Sequence, residues 1–410
     1  MDFIEFLYLV LFFLFLLVVL FFGVRWVLPD FYPGIRSRLS TWWSVNEEET
    51  KKRIAQRYGL LFLWDEIEDW SQWAFECPER IKQVFPTEDS LIVGTERKLY
   101  FLDRETGELG QEYELDKPFM GMYIDGDRLY LFLKGEVLCL PPYLLPIWKT
   151  SIHYDNFLLD NERLFLWDSV SHKFHCLEKS SGKELWSRLA LLFFNFYDWT
   201  QDEDNLYTLG SRFVIAWRKI DGTELWKFRR EEWSILSGRA GMGSIYVYDH
   251  PYDRFFCLNK NGKKIWEKNV GRTYWTYLEQ VFEEATLFKA SILPLGRGVL
   301  LVTGGEVYLF KGDDGKLIWR SVGYIPPGVR LGIVTYSSIL YQEGERFVYF
   351  MGNFQIEDVW WVHRVSLADG EVLRITRSPY LSTINADKEF LYLGTIDGKL
   401  YALRKETLGV

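Results

Sequence analysis

Two hydrophobic textures divide the chain. From Phe6 to Val24 it reads FLYLVLFFLFLLVVLFFGV, nineteen residues without a charge, which as a helix spans about 28 Å and crosses the hydrocarbon core of a bilayer. Asp2 and Glu5 precede this run and Val24, Arg25 and Trp26 leave it, the reverse of the basic start and small-residue exit of a cleavable signal peptide. No cysteine lies near it, which excludes lipoprotein processing, and Gly23 is its only small residue, so the segment is expected to face lipid rather than a packed helix partner. Trp26, Trp42 and Trp43, interleaved with Arg25, Arg36 and Arg38, are expected interfacial anchors. Asn46 followed by Glu49 opens a capping-box start for a short helix through KKRIAQRY. The expected organisation is a transmembrane anchor over residues 1–28, an interfacial linker and stalk helix over 29–66, and one repetitive domain over 67–410.

Beyond the stalk the apolar runs are short and end at turn residues, the texture of strands. Four stretches repeat: FHCLEKSSGKELW ending at Trp186, FVIAWRKIDGTELW at Trp226, RFFCLNKNGKKIW at Trp266 and EVYLFKGDDGKLIW at Trp319. Each predicts a strand, a glycine turn, and a strand carrying Trp four residues after the glycine. A further short strand precedes each, as in Asn205 to Gly210, Ser244 to Asp249 and Val299 to Gly304. Equivalent positions fall at 73, 111, 148, 186, 226, 266, 319 and 374, with intervals of 38, 37, 38, 40, 40, 53 and 55. Trp is absent at Gln111 and Arg374, and at Trp148 the segment PPYLLP replaces the glycine turn.

This repeat resembles the quinoprotein-type, or PQQ-like, β-propeller repeat, whose tryptophan-docking motif joins neighbouring blades. The resemblance implies an all-β, eight-bladed propeller in which Trp73, Trp148, Trp186, Trp226, Trp266 and Trp319 dock blades. The last repeat, FLYLGTIDGKLYALRKETLGV, reaches Val410 without its Trp. Trp73, in QWAFE, has no preceding repeat, so it is expected to close the final blade from the other end of the chain and remove the exposed sheet edges.

Composition narrows the function. Apolar residues at 48% and charged residues at 26% exclude disorder, and aromatics at 18% suit strands. The net charge of −9 repels phosphate backbones, so no nucleic-acid partner is expected. The resemblance to quinone-dependent dehydrogenases implies an adjacent cysteine pair, a calcium site and a catalytic Asp; no two cysteines are adjacent here, and no enzyme, cofactor or metal site is expected. Cys139, Cys176 and Cys257 occupy the small apolar position that Ala402 holds in the last repeat and read as core thiols, while Cys77 stands alone. His172 and His175 would point to opposite faces of a strand. The aspartate–glycine pairs at Asp221, Asp314, Asp369 and Asp397 read as turns.

Departures from the repeat carry the binding expectation. The long intervals place extra residues in adjacent blades, around Tyr274 to Leu293, Tyr324 to Val334 and Asn353 to Trp361, and Leu189 to Trp199 is unusually apolar. Tyr274, Trp275, Phe282, Phe288, Trp360 and Trp361 are the candidate partner surface, since Trp and Tyr dominate interface energetics. The expected function is a noncatalytic scaffold or accessory subunit, bound to lipid through residues 6–24 and to other protein subunits of a membrane assembly. The rival expectation is an envelope-assembly factor resembling the propeller lipoprotein of the outer-membrane insertion machinery; a quinone-cofactor oxidoreductase is the third and weakest alternative. Arg25, Arg36 and Arg38 follow the apolar segment and no Lys or Arg precedes it, so the positive-inside rule puts the propeller on the cytoplasmic face; the family habit favours an extracytoplasmic or periplasmic one.

Overall fold

Among the described residues, strands pair into eight four-stranded antiparallel sheets, the eight blades that the repeat predicts. The computed structural model describes residues 67–408, apart from 142–144, 191–195, 233, 271–289, 297, 304–305, 323–333, 342–343, 355–358 and 379. The expected anchor, linker and stalk, with Arg25, Trp26, Trp42 and Trp43, lie outside the described residues. Among those described, no helix is long and apolar enough to cross a membrane.

Blades 1 to 7 run in chain order over residues 83–114, 119–150, 156–189, 196–229, 236–269, 291–322 and 334–378. Blade 8 takes three strands from 381–404 and its fourth, Trp73–Glu76, from the other end of the chain. Trp73 lies opposite Ala402 and Glu76 opposite Lys399, so the expected closure is present. The first strands of neighbouring blades touch each other around the ring, most sparsely on either side of blade 3, and first strands therefore line the central channel, while fourth strands form the rim.

This geometry explains the apolar texture. A second strand is sandwiched by neighbours on both faces and reads as a continuous buried run, as in Asn205–Gly210 and Phe390–Thr395. A rim strand such as Glu184–Leu189 buries little beyond its Trp. The core is accordingly split into eight clusters, one in each cleft between adjacent blades. Burial of these clusters is what orders the ring, because no blade can cover its own two faces.

Register fixes where the indoles sit. Trp148, Trp186, Trp226, Trp266 and Trp73 lie opposite Cys139, Cys176, Ala216, Cys257 and Ala402 on the adjoining third strand. A small residue there leaves room for the ring to lie across the strand. Trp319 lies opposite the larger Leu309, and at the two positions without Trp the opposite residues are also bulky: Phe101 faces Gln111 and His363 faces Arg374.

The departures resolve in part. Ser291–Leu295 is the first strand of blade 6, so the end of the stretch Tyr274 to Leu293 belongs to the blade and not to an insertion; Tyr274, Trp275, Phe282 and Phe288 lie outside the described residues. Asn353 to Trp361 is the end of a long hairpin, Phe347–Phe354 with Val359–Ser366. Trp360 and Trp361 sit on the third strand of blade 7, with backbone partners on both sides at Asn353 and Gly352 and at Ser378 and Arg377.

Candidate functional site

The docking units come first because they hold everything else in place. Trp73, Trp148, Trp186, Trp226, Trp266 and Trp319 donate their indole N–H to backbone carbonyls of the next blade, those of Arg104, Lys179, Lys219, Lys260, Gly312 and Leu367 respectively, over 2.7–3.2 Å. Each ring lies over a turn glycine of that blade: Gly107, Gly182, Gly222, Gly262, Gly315 or Gly370. All six have positive φ, and an added Cβ would come within 2.4–2.7 Å of the indole. The glycine and tryptophan that stand four apart in one repeat therefore serve two different clefts. This explains the incomplete repeats. The blade after Gln111 is blade 2, where 141–147 contains no glycine, and the blade after Arg374 is blade 8, whose fourth strand comes from the other end of the chain. In that last cleft Arg364 Nη1 donates instead to the carbonyl of Leu408, at 3.0 Å.

A charge ladder runs alongside. In four of the six units the residue whose carbonyl receives the indole sends its own side chain to an aspartate in the first turn of the preceding blade; Gly312 and Leu367 hold that place in the other two. Lys179 reaches Asp125 at 2.5 Å, Lys219 reaches Asp160 at 2.9 Å, and Lys260–Asp202 and Arg104–Asp387 are each 3.9 Å apart. An aromatic of the second strand completes the unit: Tyr392, Tyr130, Phe165, Tyr207 and Tyr246 lie 5.9–6.2 Å from the docking Trp of their blade. Tyr392 and Tyr207 donate to Asp387 and Asp202 at 2.6 and 2.7 Å; burial, then the carboxylate bond, raises both phenols. Burial opposes ionisation of Asp160, but the Lys219 ammonium and the N–H groups of Glu162 and Arg163 hold its carboxyl below the ordinary range.

Antiparallel blades separate their connections onto two faces. Turns between first and second and between third and fourth strands share one, the turn face; hairpins between second and third strands and joints between blades share the other, the joint face. The turn face carries exposed Glu88, Asp89, Asp125, Asp127, Glu162, Glu203, Asp204 and Glu389 on blades 8 and 1 to 4. On the joint face open the strand ends Leu189 and Phe196, Asn269 and Ser291, Val322 and Val334, and Phe354 and Val359. All four gaps bounded by these ends belong to blades 3 to 7. The strand ends that bound the segments singled out by long intervals or by apolarity thus lie on one side of one arc.

Candidate chemistry is sparse among the described residues. All four cysteines are free and buried; burial pushes Cys176 up to about 12 and Cys257 to about 11, which suppresses the thiolate that nucleophilic or metal chemistry needs. His175 pairs with Glu184 at 2.8 Å, and His172 sits in a turn at φ 53°, so they form no metal pair. Spacing did not single out His153, Asp155 and Asp168, which the fold brings together. Their carboxylates are already used: Asp168 accepts from Ser171, Val170 N–H and His153, and Asp155 from Ser169 N–H. Burial works against the Asp168 charge, but these bonds, Ser171 foremost, hold it at about 2. Asp249, fully buried against Arg230 at 3.1 Å, behaves oppositely. Its burial outweighs Arg230 and Ser234 and lifts it to about 6.

An eight-bladed ring with indole-on-glycine docking in six clefts defines a tryptophan-docked β-propeller. The family model described as outer membrane protein assembly factor BamB matches residues 199–407, half of the chain and all of blades 5 to 7. The chain belongs to that family. Among solved structures it is similar to BamB from Moraxella catarrhalis, at 13% identity and TM-score 0.56 over 81% of this chain and 98% of that one. It is similar to the computationally designed Ika8 protein at 9% identity and TM-score 0.63, over 82% and 99%, and to Sqt1 of Saccharomyces cerevisiae at 11% identity and TM-score 0.58, over 82% and 98%. No curated protein matches the chain by sequence. At these identities the likenesses establish the propeller fold.

Proposed function

We propose that this chain is a noncatalytic scaffold, an accessory subunit tethered to the bilayer through residues 6–24 that holds other proteins of a membrane-associated assembly. The observation that carries the proposal is the convergence of four lengthened or irregular connections on the joint face of blades 3 to 7. Docked clefts hold the strand ends that bound these connections in fixed positions on one face of the ring. Tyr274, Trp275, Phe282 and Phe288 of these connections, with Trp360 and Trp361 at the start of the third strand of blade 7, are the proposed contacts. A second reading, an envelope-assembly factor, is favoured by the family match. The two readings differ in which side of the membrane the ring occupies: the arginines after the apolar segment support the cytoplasmic side, and the family description supports the outer one. Maleimide labelling of cysteines introduced at Ser37 and Ser44 in sealed vesicles tests this. Labelling from the outer face alone overturns the cytoplasmic assignment. Purification in mild detergent and identification of the chains that co-purify tests the scaffold itself; isolation of a lone chain under conditions that preserve membrane assemblies counts against it.

A further inference from the structure

Beside blade 4 the channel wall opens into a cavity of about 360 Å³ that docking does not account for. Trp167, Phe174 and Trp199 form its aromatic walls. Phe174 stacks on Trp199 with ring centroids 6.0 Å apart and planes at 27°, and Trp167 packs on Phe174 at 4.7 Å. Two polar side chains line the same space. Thr208 is only 1% exposed and its Oγ1 accepts the Trp217 indole N–H at 3.0 Å, so its hydroxyl proton remains available for a second partner. Gln201 donates its amide to the Leu159 carbonyl, which fixes the side chain, and its buried Oε1 has no donor. Trp199 lies directly opposite Thr208, and Gln201, two residues further along the strand, shares their side of the sheet. At the rim Arg239 and Asp198 pair at 3.0 Å, and Asp198 also accepts from Gly238 N–H, which leaves the entrance with no net charge.

We infer that this cavity is a binding site for a neutral, planar aromatic group bearing a hydroxyl, that is, a phenol. The volume lies at the low end of ligand sites, about 300–1,000 Å³, and suits a single ring and not an extended cofactor. Aromatic walls favour a π-system stacked or edge-on. A phenolic O–H both donates and accepts, which answers the orphan Gln201 acceptor and the spare Thr208 donor. An uncharged ligand matches the self-neutralised rim. This inference does not depend on the scaffold reading: it places the ligand on the channel wall, in a cavity walled by described residues of blades 3, 4 and 5 beside the joint that leads into Phe196–Gln201.

The test uses the full chain in detergent with 4-fluorophenol as probe, followed by fluorine NMR. Saturable binding with a ring-current shift is expected, and 4-fluoroanisole, which keeps the ring and lacks the donor, should bind about 2- to 10-fold more weakly, the effect of one neutral hydrogen bond. Gln201→Met should bring the two probes to equal affinity. Thr208→Leu, which fills the cavity, should leave only the unsaturable signal of partition into detergent. Competition separates the sources of the phenol: displacement by a capped Gly-Tyr-Gly tripeptide supports a tyrosine carried by a partner, and displacement by free phenols alone supports a small metabolite. Absence of saturable binding to the unaltered chain, or equal affinity for the two probes before substitution, overturns the inference.

Discussion

Replacing Gly182 by alanine isolates the energy of one docking unit, because a matched control exists in the same part of the ring. Gly182 and Gly126 both have left-handed backbones, at φ +68° and +57°. A left-handed L-residue costs about 1–2 kcal/mol, offset in both cases by about 0.4–1 kcal/mol from the stiffer unfolded chain. At Gly126 an added Cβ meets nothing within 4 Å, so Gly126→Ala should cost about 1 kcal/mol or less. At Gly182 the same Cβ would sit 2.5 Å from Cε3 of Trp148, and the ring, 9% exposed, has no free side to retreat to. Displacing it strains a packed cleft by about 1–3 kcal/mol and lengthens the 3.1 Å bond to Lys179, worth about 0.5–1.5 kcal/mol. Gly182→Ala should therefore destabilise by about 2–4 kcal/mol more than Gly126→Ala. Urea unfolding followed by tryptophan fluorescence and circular dichroism, with slopes compared as well as midpoints, measures the difference. Equal losses at both sites would refute the docking argument, since backbone strain alone would then explain them.

Deleting the chain through residue 78 should lower the melting temperature far more than deleting it through residue 45, because only the first removes the strand that pairs with Lys399–Arg404; equal melting would contradict ring closure. Asp249 carries a folded-state value of about 6 against about 3.9 unfolded, so the native state holds its proton more tightly and stability should fall as pH rises from about 4 to about 6, by about 3 kcal/mol at most. Asp249→Asn should flatten that part of the pH profile, and a profile unchanged by the substitution would refute the burial argument. Asp168, held at about 2, has the opposite sign: it contributes stability above about pH 4 that is lost on acidification toward pH 2, visible as an acid limb that Asp168→Asn should weaken. Replacing residues 271–289 with a short Gly-Ser turn should preserve the melting temperature and lose the co-purifying partner, whereas retention of the partner would remove that connection from the proposed surface.

Repetition made the fold readable. A strand pattern with Trp at a fixed offset from glycine predicts blades without any knowledge of long-range contacts, and Trp73, a docking tryptophan with no preceding repeat, pointed to the strand that completes the last blade. The small residues opposite the indoles were legible for the same reason, as Cys176 and Cys257 hold the place of Ala402. Pairings between repeats were not. Lys219 meets Asp160 and Trp186 meets Gly222 across a cleft, and a linear period aligns equivalent residues without saying which neighbour each one faces. The His153, Asp155 and Asp168 group and the Thr208 and Gln201 cavity depend on strand order and pleat, which local periodicity cannot supply. The converging connections were partly legible: interval lengths showed where residues were added, and the antiparallel topology then assigned them to one face.

The claim that one face of the ring recognises partners is tested most directly by photocrosslinking in native membranes. Val170, 75% exposed in the hairpin between the second and third strands of blade 3, reports on the joint face, and Ile220, 65% exposed in the turn between the third and fourth strands of blade 4, reports on the turn face. A photoreactive residue at Val170 should yield a discrete crosslinked protein that the same residue at Ile220 does not. Crosslinking at Ile220 alone, or none from either position while the partner still co-purifies, would contradict the account.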